Sequence, residues 1–159
     1  MYNHEPQDYA CPFCHEDPEQ SQHPLEIIHR YEEVTVRLNP KWWPGTPGNL
    51  LVIPRQHVEN LFDLPLNLAI PLQQAAQDAA FALKRALACE GISTRQHNEP
   101  AGGQDVWHYH LHVFPRTTGD GLYGSEGEWQ SREAMSTMAD RVRSAWPHPG
   151  PSGRGTGLT

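Results

Sequence analysis

The stretch Gln104-Asp-Val-Trp-His108-Tyr-His110-Leu-His112-Val-Phe-Pro-Arg116 places three histidines at alternate positions. The residues between and beside them are bulky and favour strands. Because successive side chains of a strand point to opposite faces, a strand here would project all three imidazoles from one face, about 6.6–7 Å apart. Its other face would pack into a core. A strand that commits one whole face to imidazole gives up half of its burial, so the pattern indicates a chemical role.

The remaining hydrophobic pattern predicts an α+β fold. Apolar residues at helical spacing predict one long helix over 67–89, with Pro71 in its first turn and Gly91 as its stop. A second helix is predicted over 131–146, with Ser131 as its N-cap. One long helix between groups of strands indicates a mainly antiparallel sheet, here of about five strands. The other predicted segments are two short strands within 26–39, a loop over 40–49, a strand over 50–54, the start of a short helix within 57–63, a strand over 92–97 and a turn over 99–103.

Length and composition limit the possible classes. A chain of 159 residues suits one domain, which we expect over 1–146, with the Gly/Pro/Ser-rich 147–159 as a flexible tail. The net charge of −7 argues against binding to nucleic acid polymers, but it is compatible with a small anionic ligand. The first residues have no basic start or apolar segment, and no apolar stretch is long enough to span a membrane. We therefore expect a cytoplasmic protein that does not bind membranes.

The motif Cys11-Pro-Phe-Cys14 has three interpretations. A redox Cys-x-x-Cys needs a strand before it and a helix after it, and the sequence predicts neither. His15 extends the motif to the haem c attachment pattern, but that modification normally occurs outside the cytoplasm. The third interpretation is a metal site, because two thiols at this spacing can chelate one soft cation. Such a site needs two more ligands, for which ten histidines are candidates. Three cysteines are too few for a disulfide framework.

These motifs together resemble the histidine triad family, whose signature is His-x-His-x-His followed by two apolar residues. His108, His110 and His112 fit it, and Val113-Phe114 supply the apolar pair. The likeness extends to Gly-Gln at 103–104, to Pro-Arg at 115–116, and to the segment 47–57, which ends in Pro-Arg-Gln-His. It spans roughly 11–116, most of the chain.

The resemblance implies a histidine triad fold and, from the family's zinc-binding bacterial members, a metal site. Those members begin with Cys-x-x-Cys, matched here by Cys11 and Cys14. They complete the site with the histidine after the Pro-Arg strand, here His57, and with the first triad histidine, here His108. Two thiolates and two imidazoles close a tetrahedral shell, so the implied cofactor is one structural Zn²⁺ per chain. Members usually pair as homodimers through the long helix and a strand, which we also expect here.

The resemblance also implies nucleotidyl chemistry. His110 would attack the α-phosphorus of a dinucleoside polyphosphate or nucleoside phosphoramidate, and water would then hydrolyse the nucleotidyl-histidine. His112 would donate to phosphate oxygen or help to protonate the leaving group, and His108 completes the catalytic set. Gln104 corresponds to a residue near the leaving group or phosphate. Backbone amides of the glycine pair at 102–103 would add donors toward the anion.

The nucleotide-binding positions include two departures from the family pattern. Asn39 matches the residue that contacts the ribose. Asn49 stands where many members have histidine, and asparagine donates a hydrogen bond but never becomes cationic. Members also carry asparagine seven residues before the glutamine, where this chain has His97 with Asn98 beside it. Which of the two faces the site is open at this stage, so substrate identity is less defined than the chemistry.

Each assignment has a simpler alternative. Three histidines on one strand also suit a plain metal site or a solvated face. His57 also suits a helix-capping or surface position, and Asn39 also suits a turn before proline. Trp42 and Trp43 suit a lid or a dimer contact. The alternative to a nucleotide hydrolase or nucleotidyl transferase is a nucleotide-binding, zinc-organised regulatory module with little or no catalysis.

Overall fold

The computed structural model describes residues 2–14 and 26–147. Its central element is a five-stranded antiparallel sheet in the order β1-β2-β4-β6-β5, which confirms the α+β prediction. A separate two-stranded sheet pairs β3 with β7. The strands are β1 (Ile27–Arg30), β2 (Val34–Leu38), β3 (Lys41–Trp42), β4 (Leu50–Pro54), β5 (Gly91–Gln96), β6 (Leu111–Arg116) and β7 (Glu128–Trp129), and the helices are α1 (Ala69–Leu87) and α2 (Arg132–Ser144).

The core lies between one face of the sheet and the two helices. Alternate residues of β2 and β4 point to this side, where they pack against the buried apolar residues of α1 and α2. Tyr109 and Val113, from the histidine stretch, join this core, and Leu111 packs against it. A smaller cluster on the opposite face joins Leu51 and Ile53 of β4 to Cys11 and Phe13. The N-terminal segment therefore lies against the face that the helices leave uncovered.

Both predicted helices form, with small differences at their ends. Pro71 lies in the first turn of α1, and Ser131 is the N-cap of α2, accepting a 3.1 Å hydrogen bond from the Ala134 amide. The prediction that Gly91 stops α1 was wrong. The helix ends at Leu87, the following residue Ala88 adopts a left-handed conformation (φ 52°), and Gly91 begins β5. The Lys84 ammonium donates to the Cys89 and Glu90 carbonyls beyond the helix end, which stabilises this early termination.

The predicted short helix within 57–63 does not form. The Leu61 amide donates to Asn98 Oδ1 at 2.7 Å, and the Phe62 amide donates to Asn60 Oδ1 at 2.9 Å. These side-chain oxygens take backbone donors that a helix would use, so the segment turns instead. The next helical turn after this segment is a 3₁₀ turn over Leu66–Leu68. The predicted loop over 40–49 also needs correction, because it contains β3, which pairs with the distant β7.

The histidine stretch is less regular than predicted. β6 begins at Leu111, so of the three triad histidines only His112 lies in a strand. The Tyr109 amide donates to the Val58 carbonyl, and the His108 amide donates to the Val106 carbonyl, both outside the ladder. His108 and His110 therefore precede the sheet on an irregular segment.

No helix within residues 2–14 and 26–147 has the length and apolar character needed to cross a membrane. The predicted tail lies outside the described residues apart from Pro147, as does His15 of the haem-like motif.

Candidate active site and metal cluster

The face of the sheet opposite the helices carries the polar side chains. Leu51 of β4 pairs with His112 of β6, and His112 pairs with Arg95 of β5. Directly paired residues project to the same face, so these three side chains form one row across three strands. Phe114 lies two residues beyond His112 on the same face, and its ring stacks with the His112 ring at 5.4 Å. The candidate site is built at the end of this row, where β6 meets the irregular segment before it.

His110 has the geometry of a neutral nucleophile. Its Nδ1 lies 2.7 Å from the His108 carbonyl oxygen, which accepts a hydrogen bond only if Nδ1 carries the proton. Nε2 is then left with a lone pair, and it has no hydrogen-bond partner among the described residues. The ring is 4% exposed, and burial lowers the pKa of His110, although the hydrogen bond to His108 opposes this shift. The imidazole is therefore unprotonated near neutral pH.

Two other rings hold His110 in place. Phe13 meets it edge-on at 5.3 Å, and His112 does so at 5.0 Å. The Phe13 ring also contacts His108 at 5.7 Å, so a single side chain of the N-terminal segment packs against two triad histidines. The structure thus brings the three histidines together although their backbone is only partly extended.

His112 lies beside His97, and its Nδ1 is buried without a hydrogen-bond partner among the described residues. Burial lowers the pKa of His112 well below its usual value, and the charges of His110, His97 and Arg95 add to this effect. The His97 ring is 6.1 Å from that of His112, and its Nδ1 donates to the Gly102 carbonyl at 2.7 Å. Asn98 accepts from the Leu61 amide instead, so His97 is the member of the pair that faces the triad.

Gln104 is buried, and its side-chain amide is already bonded to the surrounding loops. Nε2 donates to the carbonyls of Glu59 (2.7 Å) and Val106 (3.1 Å), and Oε1 accepts from the Glu99 amide at 2.9 Å. In this arrangement Gln104 has no donor left for a phosphate. The Gly102 and Gly103 amides are also used inside their own turn, where they donate to the carbonyls of residues 99 and 100. The expectation that these amides point at an anion does not hold.

The two predicted asparagines differ in their bonding. Asn39 is buried and accepts from the Lys41 amide at 3.1 Å, as a turn residue before proline does. Asn49 is 0% exposed, and neither its Oδ1 nor its Nδ2 has a partner among the described residues. Asn49 precedes Leu51 by two residues, so it lies toward the His112 face of β4. A buried amide without partners is a rare and costly feature, which indicates a group that bonds a ligand.

The four predicted metal ligands converge. The ligand atoms of Cys11, Cys14, His57 and His108 all lie within 4.8 Å of one another. His108 Nδ1 is 3.3 Å from Cys11 Sγ and 3.5 Å from Cys14 Sγ, and His57 Nδ1 is 3.2 Å from Cys14 Sγ. A tetrahedral zinc ion with usual Zn–S and Zn–N bond lengths separates its sulfur and nitrogen ligands by about 3.5 Å. The distances therefore suit one zinc-sized ion.

The ring nitrogens opposite the cluster strengthen this fit. His108 Nε2 donates to the Pro54 carbonyl at 2.9 Å, and His57 Nε2 lies 2.7 Å from the Glu5 carboxylate. Such outer hydrogen bonds orient the rings of metal-binding histidines and leave Nδ1 free to coordinate. Burial lowers the pKa of His108 to about 4, so its ring is neutral, as a ligand must be.

The thiols need the charge of a cation to ionise. Partial desolvation of the sulfur, with the hydrogen bond and charge of Cys11, raises the pKa of the Cys14 thiol to about 11. A bound metal cation reverses this preference, because its positive charge stabilises the thiolate. The donor set thus has the composition of a closed structural zinc site.

Two residues of the site are not predicted by the sequence motifs. Phe13 is an unspecified position within Cys-x-x-Cys. Arg95 lies outside every motif, although it comes two residues before His97 in a predicted strand and so shares its face. That alternation was visible in the sequence, but the pairing with His112 was not.

Comparison with known proteins gives a consistent family assignment. A model of the HIT domain family matches residues 20–119. The protein hit of Bacillus subtilis is 38% identical over 78 residues, which cover 48% of this chain and 54% of that protein. An adenylylsulfatase of Arabidopsis thaliana is 28% identical over 83 residues, which cover 52% of this chain and 42% of that protein. The chain thus spans about half the length of these curated relatives.

Solved structures agree with the fold. A Hit-like protein from Bartonella henselae is 30% identical, with a TM-score of 0.67 over 77% of this chain and 87% of that one. A zinc-bound histidine triad family protein from Mycobacterium smegmatis is 26% identical, with a TM-score of 0.62 over 76% of this chain and 86% of that one.

Proposed function

The chain belongs to the HIT domain family, and we propose that it is a nucleotide hydrolase or nucleotidyl transferase acting through a nucleotidyl-histidine intermediate. The observation that carries this proposal is the 2.7 Å hydrogen bond from His110 Nδ1 to the His108 carbonyl. It fixes the tautomer in which Nε2 is a nucleophile, within a buried ring that burial keeps neutral. The adenylylsulfatase among the relatives is consistent with cleavage next to a nucleotide α-phosphate.

In the proposed reaction, His110 Nε2 gives its lone pair to the α-phosphorus. A P–N bond forms, the bond from phosphorus to the leaving group breaks, and the leaving group departs with that electron pair. Water then attacks the same phosphorus and releases the nucleoside monophosphate, while His110 recovers its lone pair. His112, 5.0 Å away by ring centroids, contacts a phosphate oxygen or the leaving group. His108 acts on His110 through its carbonyl.

Nucleotide binding in this proposal uses the polar groups around the triad. Asn49, with its unpartnered amide, and His97, beside His112, bond the phosphates. Asn39 lies at the end of β2, where it contacts the ribose. Gln104 and Asn98 act indirectly, because their side chains hold the loops that carry Glu59 and Leu61. The substrate is a dinucleoside polyphosphate, a nucleoside phosphoramidate or a related nucleotidyl compound.

We further propose one structural zinc ion per chain, held by Cys11, Cys14, His57 and His108. Four protein ligands leave no open position for water, so the ion has no direct catalytic step. When bound, it supplies a cross-link between the N-terminal segment and the triad.

The chain is also proposed to act as a homodimer. Within the described residues, β5 is an edge strand of the five-stranded sheet, so it has one side without a neighbouring strand. Leu66, in the 3₁₀ turn before α1, and Ile70, in the first turn of α1, are 90% and 80% exposed. Sedimentation equilibrium of the full chain tests this assembly, with twice the chain mass as the expected result and the single-chain mass as the contrary one.

Intact-mass spectrometry across a panel of nucleotidyl substrates tests the reaction. We expect an acid-labile adduct of one nucleotidyl group on the wild-type chain during turnover. His110→Ala should lose both the adduct and turnover while it still binds nucleotide in part. The matched control is His4→Ala, because His4 lies outside the triad with a 37% exposed side chain.

Two outcomes separate the alternatives. An adduct or single-turnover cleavage in His110→Ala rejects the nucleophile assignment. Tight binding of nucleoside monophosphate by the wild-type chain, with neither adduct nor turnover, supports the regulatory module instead.

A further inference from the structure

A cation lies on the strand next to the triad. Arg95 of β5 is paired in register with His112 of β6, so its side chain and the imidazole share one face of the sheet. The guanidinium carbon is 4.7 Å from the centroid of the Phe114 ring, and the same ring stacks with His112 at 5.4 Å. Arg95 therefore lies beside the triad, on the side away from the metal cluster.

Among the described residues, this guanidinium is held by aromatic rings and by no acidic group. Tyr123 and Trp43 lie at 5.3 Å and 5.9 Å from its carbon, in addition to Phe114. Among residues 2–14 and 26–147, Arg95 has no ion pair, and its Nε is buried without a hydrogen-bond partner. Cation–π contacts fix the position of an arginine and leave its N–H groups available.

Arg116, on β6, shows the opposite arrangement. Its guanidinium makes two hydrogen bonds to the Asp120 carboxylate, at 2.6 Å and 2.7 Å, and a third to the Ser93 hydroxyl at 2.9 Å. The charge of Arg116 is thus neutralised by Asp120, whereas Arg95 has no carboxylate partner in the part of the chain that the structure describes. The two arginines lie near the same ring, Tyr123, and differ in their pairing.

Three buried polar groups on this face have no hydrogen-bond partner among residues 2–14 and 26–147. They are the amide of Asn49 just before β4, Nδ1 of His112 on β6 and Nε of Arg95 on β5. Leaving such groups unpaired is costly, and several of them together point to a ligand with many acceptor atoms. A tetrahedral oxyanion has this property, and a guanidinium is its best-matched partner among side chains.

We propose that Arg95 binds the leaving group of the substrate, and that this leaving group is an oxyanion such as phosphate or sulfate. The inference rests on the proposed function and narrows its substrate class. When His110 Nε2 bonds to the α-phosphorus, the P–O bond to the leaving group breaks, and the departing oxygen keeps the electron pair and gains one negative charge. The guanidinium of Arg95 neutralises that charge where it develops.

The choice of oxyanion over amine follows from the chemistry of arginine. A guanidinium stays protonated at any physiological pH, so it stabilises negative charge but donates no proton. A phosphate or sulfate leaves as a stable anion without being protonated. An amine leaving group, as in a phosphoramidate, must gain a proton, which Arg95 does not supply. Anhydrides of a nucleotide with an oxyanion are therefore the favoured substrates.

Substrate-dependent kinetics of the full chain test the inference. Arg95→Gln should lower kcat/KM on diadenosine triphosphate and on adenylyl sulfate by about 100-fold, the usual effect of removing a donor to a developing oxyanion. On adenosine phosphoramidate the change should stay within about twofold. Arg95→Lys should recover part of the lost rate, because it restores the charge without the planar donor set. If Arg95→Gln lowers kcat/KM on only one of the two anhydrides, the leaving group of that anhydride is the oxyanion that Arg95 binds.

Arg116→Gln is the matched control, and we expect it to affect all substrates alike. Thermal melting of each variant shows whether the fold is intact. Equal losses on the anhydrides and the phosphoramidate in Arg95→Gln would overturn the inference, and so would no loss on any.

Binding measurements separate this inference from the proposed function. If the wild-type chain turns over none of the substrates and forms no adduct, the proposed function fails. Calorimetry with AMP and ATP then still tests Arg95. If Arg95→Gln weakens the binding of ATP but not of AMP, the result supports an oxyanion site beyond the α-phosphate. Equal changes in affinity for AMP and ATP reject it.

Discussion

Asn49 is the residue whose environment is hardest to explain by stability alone. Its amide is completely buried, and neither polar atom is bonded to another described residue. The preceding Gly48 has φ +82°, and a Cβ there would come within 2.9 Å of Met138 Sδ, so the approach to Asn49 depends on glycine. Gly48 thus sets the backbone conformation just before the Asn49 side-chain amide, which makes no hydrogen bond to the described residues. This arrangement suits a residue whose partner is a substrate.

Replacing Asn49 with leucine, which has the same number of heavy atoms, should stabilise the fold but weaken nucleotide binding. Removing two unpaired buried polar atoms should raise the free energy of unfolding by about 1 kcal/mol. Nucleotide affinity should fall, because the proposed phosphate donor is lost. Urea unfolding and calorimetric titration with AMP measure the two effects.

Asn39→Leu is the comparison for this variant, because Asn39 Oδ1 accepts a hydrogen bond from the Lys41 amide. That change should lower stability. A lower stability of Asn49→Leu, or an unchanged affinity for AMP, would contradict the role given to Asn49.

Among the elements, α2 depends on its first side chain. Ser131 Oγ accepts from the Ala134 amide, which would otherwise lack a partner at the helix start. Ser131→Ala should lower the free energy of unfolding by about 1 kcal/mol, whereas Ser131→Asp should retain most of it. Urea unfolding of the three proteins checks this, and equal stabilities of the alanine and aspartate variants would show that the cap contributes nothing.

The turn after β6 depends on a carboxylate. Asp120 accepts hydrogen bonds from the Arg116 guanidinium and from the Thr117 and Leu122 amides. The hydrogen bond from Arg116, followed by those from the amides, holds the pKa of Asp120 far below its usual value. A lowered pKa in the folded state means that the ionised form contributes stability above the unfolded pKa, and that this contribution is lost as the pH falls.

Asp120→Asn should therefore lower the melting temperature at pH 7. The difference in melting temperature between the variant and the wild type should shrink progressively below about pH 4. Thermal unfolding from pH 7 to pH 2 measures this convergence. A constant difference over that range would show that the charge of Asp120 is not the stabilising property.

For the helices and strands, local signals in the sequence account for most of the correct predictions. The helix pattern over 67–89 and the Ser131 cap predicted the ends of α1 and α2 to within two residues, because helical contacts are close in sequence. The pairing of β3 with β7 joins residues far apart in the chain, and two-residue strands have no detectable alternation. The irregular path at His108 and His110 was missed for the same reason, since the Tyr109 amide bonds to Val58.

In the whole molecule, the proposed zinc site fastens the N-terminal segment to the sheet. Cys11 and Cys14 come from that segment, His57 follows β4, and His108 precedes β6. Chelation should therefore lower the melting temperature by about 10 °C or more, because a ligand at a thousand times its Kd contributes about 4 kcal/mol. Calorimetry with and without a chelator measures the shift.

Metal analysis supplies the control for this prediction. Cys14→Ser should lose the metal, whereas Cys89→Ser should retain one zinc per chain, because Cys89 is buried away from the cluster. An identical melting temperature before and after chelation, in a protein shown to have lost zinc, would contradict a structural role.

The site as a whole was only partly predictable. The four residues of the proposed metal cluster were named from motif resemblance, and they do meet in space. The bonding of Gln104 was not foreseen, because its partners Glu59 and Glu99 are set by how two loops fold together. Nor was Arg95, whose importance depends on which β6 residue it faces. Sequence motifs identify reactive groups, whereas cross-strand register decides which neighbours they share.

One residue, His108, connects the proposed metal site to the proposed nucleophile. Its ring is one of the four proposed metal ligands, and its carbonyl oxygen accepts a hydrogen bond from His110 Nδ1. A preparation with incomplete metal content should therefore be a mixture of molecules with correctly and incorrectly oriented nucleophiles. The number of active sites per chain, measured by titration, should then rise in proportion to the zinc content. The turnover rate per active site should be the same in every preparation.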